Sequence, residues 1–156
     1  MNSFLRYTAY ASAILFLGAF FLTPVTTNDV WIQIKIGQLI RESWSIPNTI
    51  LFAFTEAKDF KFVAHEWFSS IIVSYVYDLT KYNGLVFLKF ILSSILFYLT
   101  YILCKRESQN IFLSLLISCF ALVTVNYRSF MRPELFSYIF FMLELNLIHL
   151  FSIQLF

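Results

Sequence analysis

Charge is scarce in this chain of 156 residues: Asp, Glu, Lys and Arg together make up 13% of it. An ordinary soluble domain carries about 25%. Glycine and proline are scarcer still, with three of each, so the chain is neither a flexible linker nor a disordered tract. Only two cysteines occur, Cys104 and Cys119, and both lie in or beside apolar stretches. They are too few for a disulfide framework and not clustered for zinc, so packing is their expected role. The net charge is +2. With no basic run and no stacking platform, nucleic acid is excluded as a partner.

What is present is apolar: 60% of residues are hydrophobic and 21% aromatic, with 20 phenylalanines. That composition predicts an integral membrane protein of the all-α class, a polytopic helix bundle in contact with membrane lipid. A spanning helix needs roughly 20 mostly apolar residues, because its backbone must bond internally across about 30 Å of hydrocarbon. Four stretches approach this, at 4–22, 85–104, 110–127 and 134–156, within a single membrane domain 1–156. In the first, Arg6 is followed by an apolar run from Tyr7 to Leu22, too long for a cleavable signal core, which has about 7–15 apolar residues. Its expected role is an uncleaved signal anchor with Arg6 on the cytoplasmic side.

The segment 23–84 holds most of the charges. Within it, "DVWIQIKIGQLIRES" reads as an amphipathic surface helix over 30–43, with Ile32, Ile36, Leu39 and Ile40 on one apolar stripe. "SWSIPNTILFAFTEAKDFK" reads as loop. From Trp67 to Tyr77 no charge occurs, but the run is too short to span. Ser70, Ser74, Tyr77 and Lys81 follow one side at helical spacing. The pattern predicts a second amphipathic helix over 63–82 that does not cross, with crossing as the alternative. Non-crossing makes Lys105 and Arg106 cytoplasmic; crossing makes Arg128 and Arg132 cytoplasmic, and the positive-inside count is met equally by both.

Four places carry groups able to do chemistry. Asp29, just before Trp31, follows the first apolar run. A carboxylate partly desolvated at the membrane surface is a better general base, and Asn28 or Asp29 also suits a helix cap. His65-Glu66 resembles half of the H-E-x-x-H zinc motif, but the fifth position is Ser69, so the zinc reading fails. As structure, Glu66 suits a helix start and Trp67 an interfacial anchor. "NYRSFMRPELF" (126–136) holds Arg128 and Arg132. Their guanidinium groups fit either lipid headgroups, by snorkelling, or a phosphate clamp. Glu144 falls inside the last apolar stretch, where a carboxylate usually faces a cavity or a partner.

Asp29, Trp31, Gly37, Ile46-Pro47, Phe54-Thr55, His65-Glu66-Trp67, Gly84-Leu85 and Arg128 with Arg132-Pro133 stand in an ordered series over almost the whole chain. In that order the chain resembles the amino-terminal part of bacterial GT-C class membrane glycosyltransferases, relatives of protein mannosyltransferases and the aminoarabinose transferase. The resemblance implies transfer of a sugar from a polyprenyl-phosphate donor to an extracytoplasmic acceptor, with inversion. It implies Asp29 as base, Trp31, His65 and Glu66 lining the acceptor side, and Arg128 and Arg132 on the lipid phosphate. It also implies an extracytoplasmic 23–84 loop in a bacterial inner membrane. Against the family pattern, Ile32 and Gln33 replace a tryptophan and a histidine, Ile50 replaces an acid, and Phe62 replaces a tryptophan. Family enzymes have more spans than this chain, so a truncated or partial unit is expected. The alternative expectation is a non-catalytic membrane protein or assembly subunit with a larger partner. A small transporter has less support, since no repeat or broken helix pair appears. No cofactor or metal is implied by any of these motifs.

Overall fold

The computed structural model describes residues 3–49, 61, 64–126 and 133–154. The fold is all-α, with helices α1 (Ser3–Phe21), α2 (Asp29–Ser43), α3 (Trp67–Ser108), α4 (Ile111–Asn126) and α5 (Glu134–Gln154). Among the described residues the only β-type pairing is an isolated bridge between Thr49 and Lys61. The chain divides into two compact units: Thr27–Leu85, and Met1–Thr26 together with Val86–Phe156.

The second of these holds the long apolar helices. Three helices are long and apolar enough to cross a membrane, Ser3–Phe21, Trp67–Ser108 and Glu134–Ser152. The expected fourth stretch, 110–127, contains α4, whose described part is 16 residues, about 24 Å at 1.5 Å per residue. Its start is fixed by Asn110, whose Oδ1 accepts hydrogen bonds from the N–H groups of Phe112 (3.0 Å) and Leu113 (3.3 Å). This is an N-cap. Just before it, Gln109 turns to φ 55° and its N–H returns to the Lys105 carbonyl at 3.1 Å, closing α3.

Inside this unit Leu17 and Phe21 of α1 share a core with Leu96, Leu115, Leu122 and Leu135. Phe4, Leu15, Phe87, Phe120 and Phe140 lie on the exposed surface. So much outward apolar surface is unfavourable in water and neutral against lipid tails. The protein is an integral membrane protein. Since lipid is as apolar as leucine, close packing and internal hydrogen bonds must hold the helices together. Buried Ser93, Ser114 and Ser118 keep the helix surfaces slim, and Tyr10 and Tyr101 hydroxyls meet at 2.9 Å. Asn146 of α5 donates to the Leu99 carbonyl of α3 at 3.2 Å and accepts from Arg106 at 3.3 Å. Lys89, 2% exposed, donates to the Thr23 carbonyl at 2.7 Å and to its hydroxyl at 2.9 Å. A buried ammonium is tolerable only with such partners.

The expected helix 63–82 and the expected span 85–104 join into α3, interrupted at Lys81. There the backbone takes φ 57° and ψ −148°, a region that glycine enters freely and side chains with a Cβ do not. Three residues on, a Cβ at Gly84 would overlap the Thr80 hydroxyl. Glycine is therefore required where the chain restarts its helix.

Candidate functional site

The Thr27–Leu85 unit is built on one close helix contact. A Cβ on Gly37 of α2 would overlap the backbone carbonyl oxygen of Ser70 and crowd the Ser74 hydroxyl. Ser70 and Ser74 are 1% and 0% exposed, so the side expected to be the polar face of the second surface helix is instead its buried face. The reason is size. Small side chains and a glycine let two backbones approach closely, and Ser74 bonds internally to the Ile71 carbonyl at 2.9 Å.

The same contact sets which residues of α2 pack inside the unit. Val30, Gln33, Ile34, Ile36, Gly37 and Ile40 are buried, whereas Ile32 of the expected apolar stripe is 48% exposed. Hydrophobicity alone placed the stripe; the glycine decides which face turns inward. At the far end Gln38 donates to Asp78 at 2.9 Å, and Arg41 pairs with the same carboxylate. Asp78 lies ahead of the Lys81 break, in the segment 63–82 that the sequence pattern predicts not to cross. The hydrogen bond from Arg41, then that from Gln38, hold its carboxyl below its ordinary value.

At the other end of this contact opens a cavity of about 290 Å³, lined by Asp29, Gln33, Ala64, His65, Glu66 and Ser70, with Ile32 and Ile36. Three residues picked out from the sequence, Asp29, His65 and Glu66, thus come together across 36 positions of chain. Asp29 is the first residue of α2, where the unbonded N–H groups favour a carboxylate. Asn28 takes the cap position with helical angles and makes no side-chain capping bond. His65 and Glu66 form the turn that leads into α3, where the Glu66 carbonyl accepts from the Ser70 N–H at 3.0 Å and the Ser69 hydroxyl at 2.9 Å. Asp29, His65 and Glu66 are not buried by the protein itself.

Two lining residues escaped the sequence reading. Gln33 and Ser70 are 3% and 1% exposed, and among the described residues neither Gln33 Oε1 nor Ser70 Oγ has a hydrogen-bond partner. Such atoms usually cost about 1–3 kcal/mol each. Gln33 drew notice only as a replacement of the histidine common in the resembling family, and its inward turn depends on Gly37.

Other expected site residues lie elsewhere. Trp31 does not line the cavity; it packs edge-on against Tyr77, ring centroids 5.7 Å apart. It lies two residues from Asp29, about 200° round the helix. Arg128 and Arg132 fall outside the described residues. Glu144 is exposed on the surface of α5, and His149, too far round that helix to reach it, pairs with Glu107 instead. Among the described residues no group of three His, Cys, Asp or Glu side chains is arranged to hold a metal, and Cys104 and Cys119 are free thiols. No protein-family model, curated protein or solved structure matches the chain.

Proposed function

We propose that the protein is a membrane glycosyltransferase-like unit that moves a sugar from a polyprenyl-phosphate lipid to an acceptor hydroxyl, with the cavity as its acceptor site. The observation that carries this is the convergence of Asp29, His65 and Glu66 on one cavity at the start of α2. None of the described lining residues is lysine or arginine, while two are carboxylates. Such a lining suits a neutral acceptor and disfavours the anionic phosphate of the donor.

In this reading the Asp29 carboxylate takes the proton of the acceptor hydroxyl as its oxygen attacks the anomeric carbon. The bond from that carbon to the phosphate oxygen breaks on the opposite face, inverting the configuration. The lipid phosphate leaves as a stable anion, so it needs charge stabilisation more than protonation. Arg128 and Arg132 are the proposed source of that stabilisation, by bidentate hydrogen bonds. The reading also assigns the chain to a bacterial inner membrane, with segment 23–84 on the outer side.

The test is transfer of radiolabelled sugar from native polyprenyl-phosphate sugars in source membranes. Asp29→Asn is expected to abolish transfer while membrane insertion is kept. An active Asp29→Asn protein overturns the catalytic assignment.

A second reading, a non-catalytic subunit of a larger membrane assembly, is favoured by the lack of lysine and arginine among the described residues of the cavity. It predicts copurification with a larger membrane protein and tolerance of substitution at both Asp29 and His65. A homogeneous preparation that transfers sugar unaided excludes it.

A further inference from the structure

Gln33 and Ser70 are buried, unpartnered at Oε1 and Oγ, and part of the cavity wall. The close helix approach uses the small size of Ser70, but it uses neither the Ser70 hydroxyl nor the Gln33 carbonyl, and among the described residues no hydrogen bond offsets the burial of these two atoms. The cavity, about 290 Å³, is many times the share of one water in the liquid, about 30 Å³. It is close to the smaller end of small-molecule sites, about 300 Å³.

We propose that Gln33 and Ser70 are the recognition pair of this cavity and bind a neutral hydroxyl-bearing ligand, a sugar or polyol headgroup. The inference rests on reading the cavity as an acceptor site and names what that acceptor must offer. The Gln33 carbonyl oxygen needs a donor, while the Ser70 hydroxyl has both a proton to give and lone pairs to receive. A ligand hydroxyl satisfies both, donating to Gln33 and accepting from Ser70. An ammonium group leaves the serine proton without an acceptor, and an anion meets the carboxylates of Asp29 and Glu66. Gln33 follows Asp29 by four residues, one turn of the same helix face, about 6 Å along its axis. A polyol gripped at Gln33 therefore presents its neighbouring hydroxyls toward Asp29.

The experiment uses the full chain in lipid nanodiscs, with saturation-transfer NMR to methyl β-glucoside, methylammonium and methyl phosphate as probes. Saturation of the glucoside is expected, and Gln33→Leu and Ser70→Ala should each weaken it about tenfold, the effect of one lost hydrogen bond. Gln33→Leu should also raise or preserve the thermal midpoint, because it removes a buried unpaired group, whereas loss of a structural amide would lower it. Preference for methylammonium or methyl phosphate, no glucoside binding, or glucoside binding unchanged in both variants overturns the proposal. Should Gln33→Leu fail to fold, Ser70→Ala decides alone. The two readings fail separately. An active Asp29→Asn protein with Gln33-dependent glucoside binding sinks only the catalytic role, and an inactive one with Gln33-independent binding sinks only the recognition pair.

Discussion

Gly37 and Ser70 meet with no room for a Cβ between them: the carbonyl oxygen of Ser70 occupies the space where any other residue at position 37 would begin. That contact turns Gln33 inward and sets the wall of the cavity.

Gly37→Ala is therefore expected to destabilise the Thr27–Leu85 unit by about 3 kcal/mol, the upper end of overpacking costs, because the obstacle is backbone and cannot swing aside. Gly18→Ala in α1 is the control. A Cβ there meets nothing within 4 Å, so the change should be neutral or add up to about 1 kcal/mol of helix propensity. Thermal unfolding of both variants in one detergent compares them directly, and equal effects would mean that the close approach carries no weight.

Lys81 stands at φ 57° and ψ −148°, so Lys81→Gly is expected to stabilise the protein by about 1 kcal/mol after the entropy cost of glycine is subtracted. Lys81→Ala separates the backbone from the side chain. It keeps the Cβ and loses only the approach of the ammonium to the Tyr77 ring, 5.5 Å from its centroid, so it should be neutral or slightly destabilising. An alanine variant as stable as the glycine variant would rule out backbone strain.

Asp78 ties α2 to α3 through Gln38 and Arg41, which depress its folded-state pKa. Its contribution is thus present above the ordinary aspartate value of 3.8 and lost as pH falls through the lower folded value. Between pH 7 and 5 this pair should add no pH dependence, and in acid the stability of Asp78→Asn should fall less steeply than that of wild type. Parallel acid unfolding curves would show that the carboxylate makes no net contribution. The pair is solvent-exposed, so the difference should shrink in high salt.

The cavity groups should separate kinetically if transfer occurs there. Asp29→Asn removes the proposed base and should lower kcat by about 10²–10⁴ or more, with the acceptor KM little changed. His65→Ala, a contact on the acceptor side, should mainly raise the acceptor KM. Steady-state kinetics with varied acceptor distinguish the two, and a pure kcat loss in His65→Ala would move that residue into the chemical step.

The all-α class and the membrane setting were legible because composition alone demands them. So was the beginning of α2, within one residue, at Asp29, whereas α3 begins at Trp67, four residues after the expected start at 63. The joint between the helices expected over 63–82 and 85–104 was legible as a change of character, while its smallness, a single residue at Lys81, was not. Helical periodicity assigns faces by hydrophobicity, and it put Ile32 on the apolar stripe of a membrane-surface helix and Ser70 and Ser74 on one polar side. It does not say which face packs on another helix, and near Gly37 the depth of backbone approach decides that. Asp29, His65 and Glu66 were found as charged or titratable exceptions in apolar surroundings. Gln33 and Ser70 carry no such contrast, since an uncharged polar residue on an amphipathic helix looks like surface until the partner helix is known.

The unit Thr27–Leu85 is continuous in sequence, whereas the other is assembled from Met1–Thr26 and Val86–Phe156 on either side of it. Tyr10 and Tyr101, 91 positions apart, cannot meet until everything between them has left the ribosome, which takes roughly 5–20 s at usual elongation rates. During that interval α1 sits in the bilayer without its eventual neighbours, while the interrupting segment already has all its own contacts at hand. Order of synthesis thus gives the cavity-bearing unit the first chance to form, and leaves α1 dependent on lipid or an insertion factor until the rest of its bundle arrives.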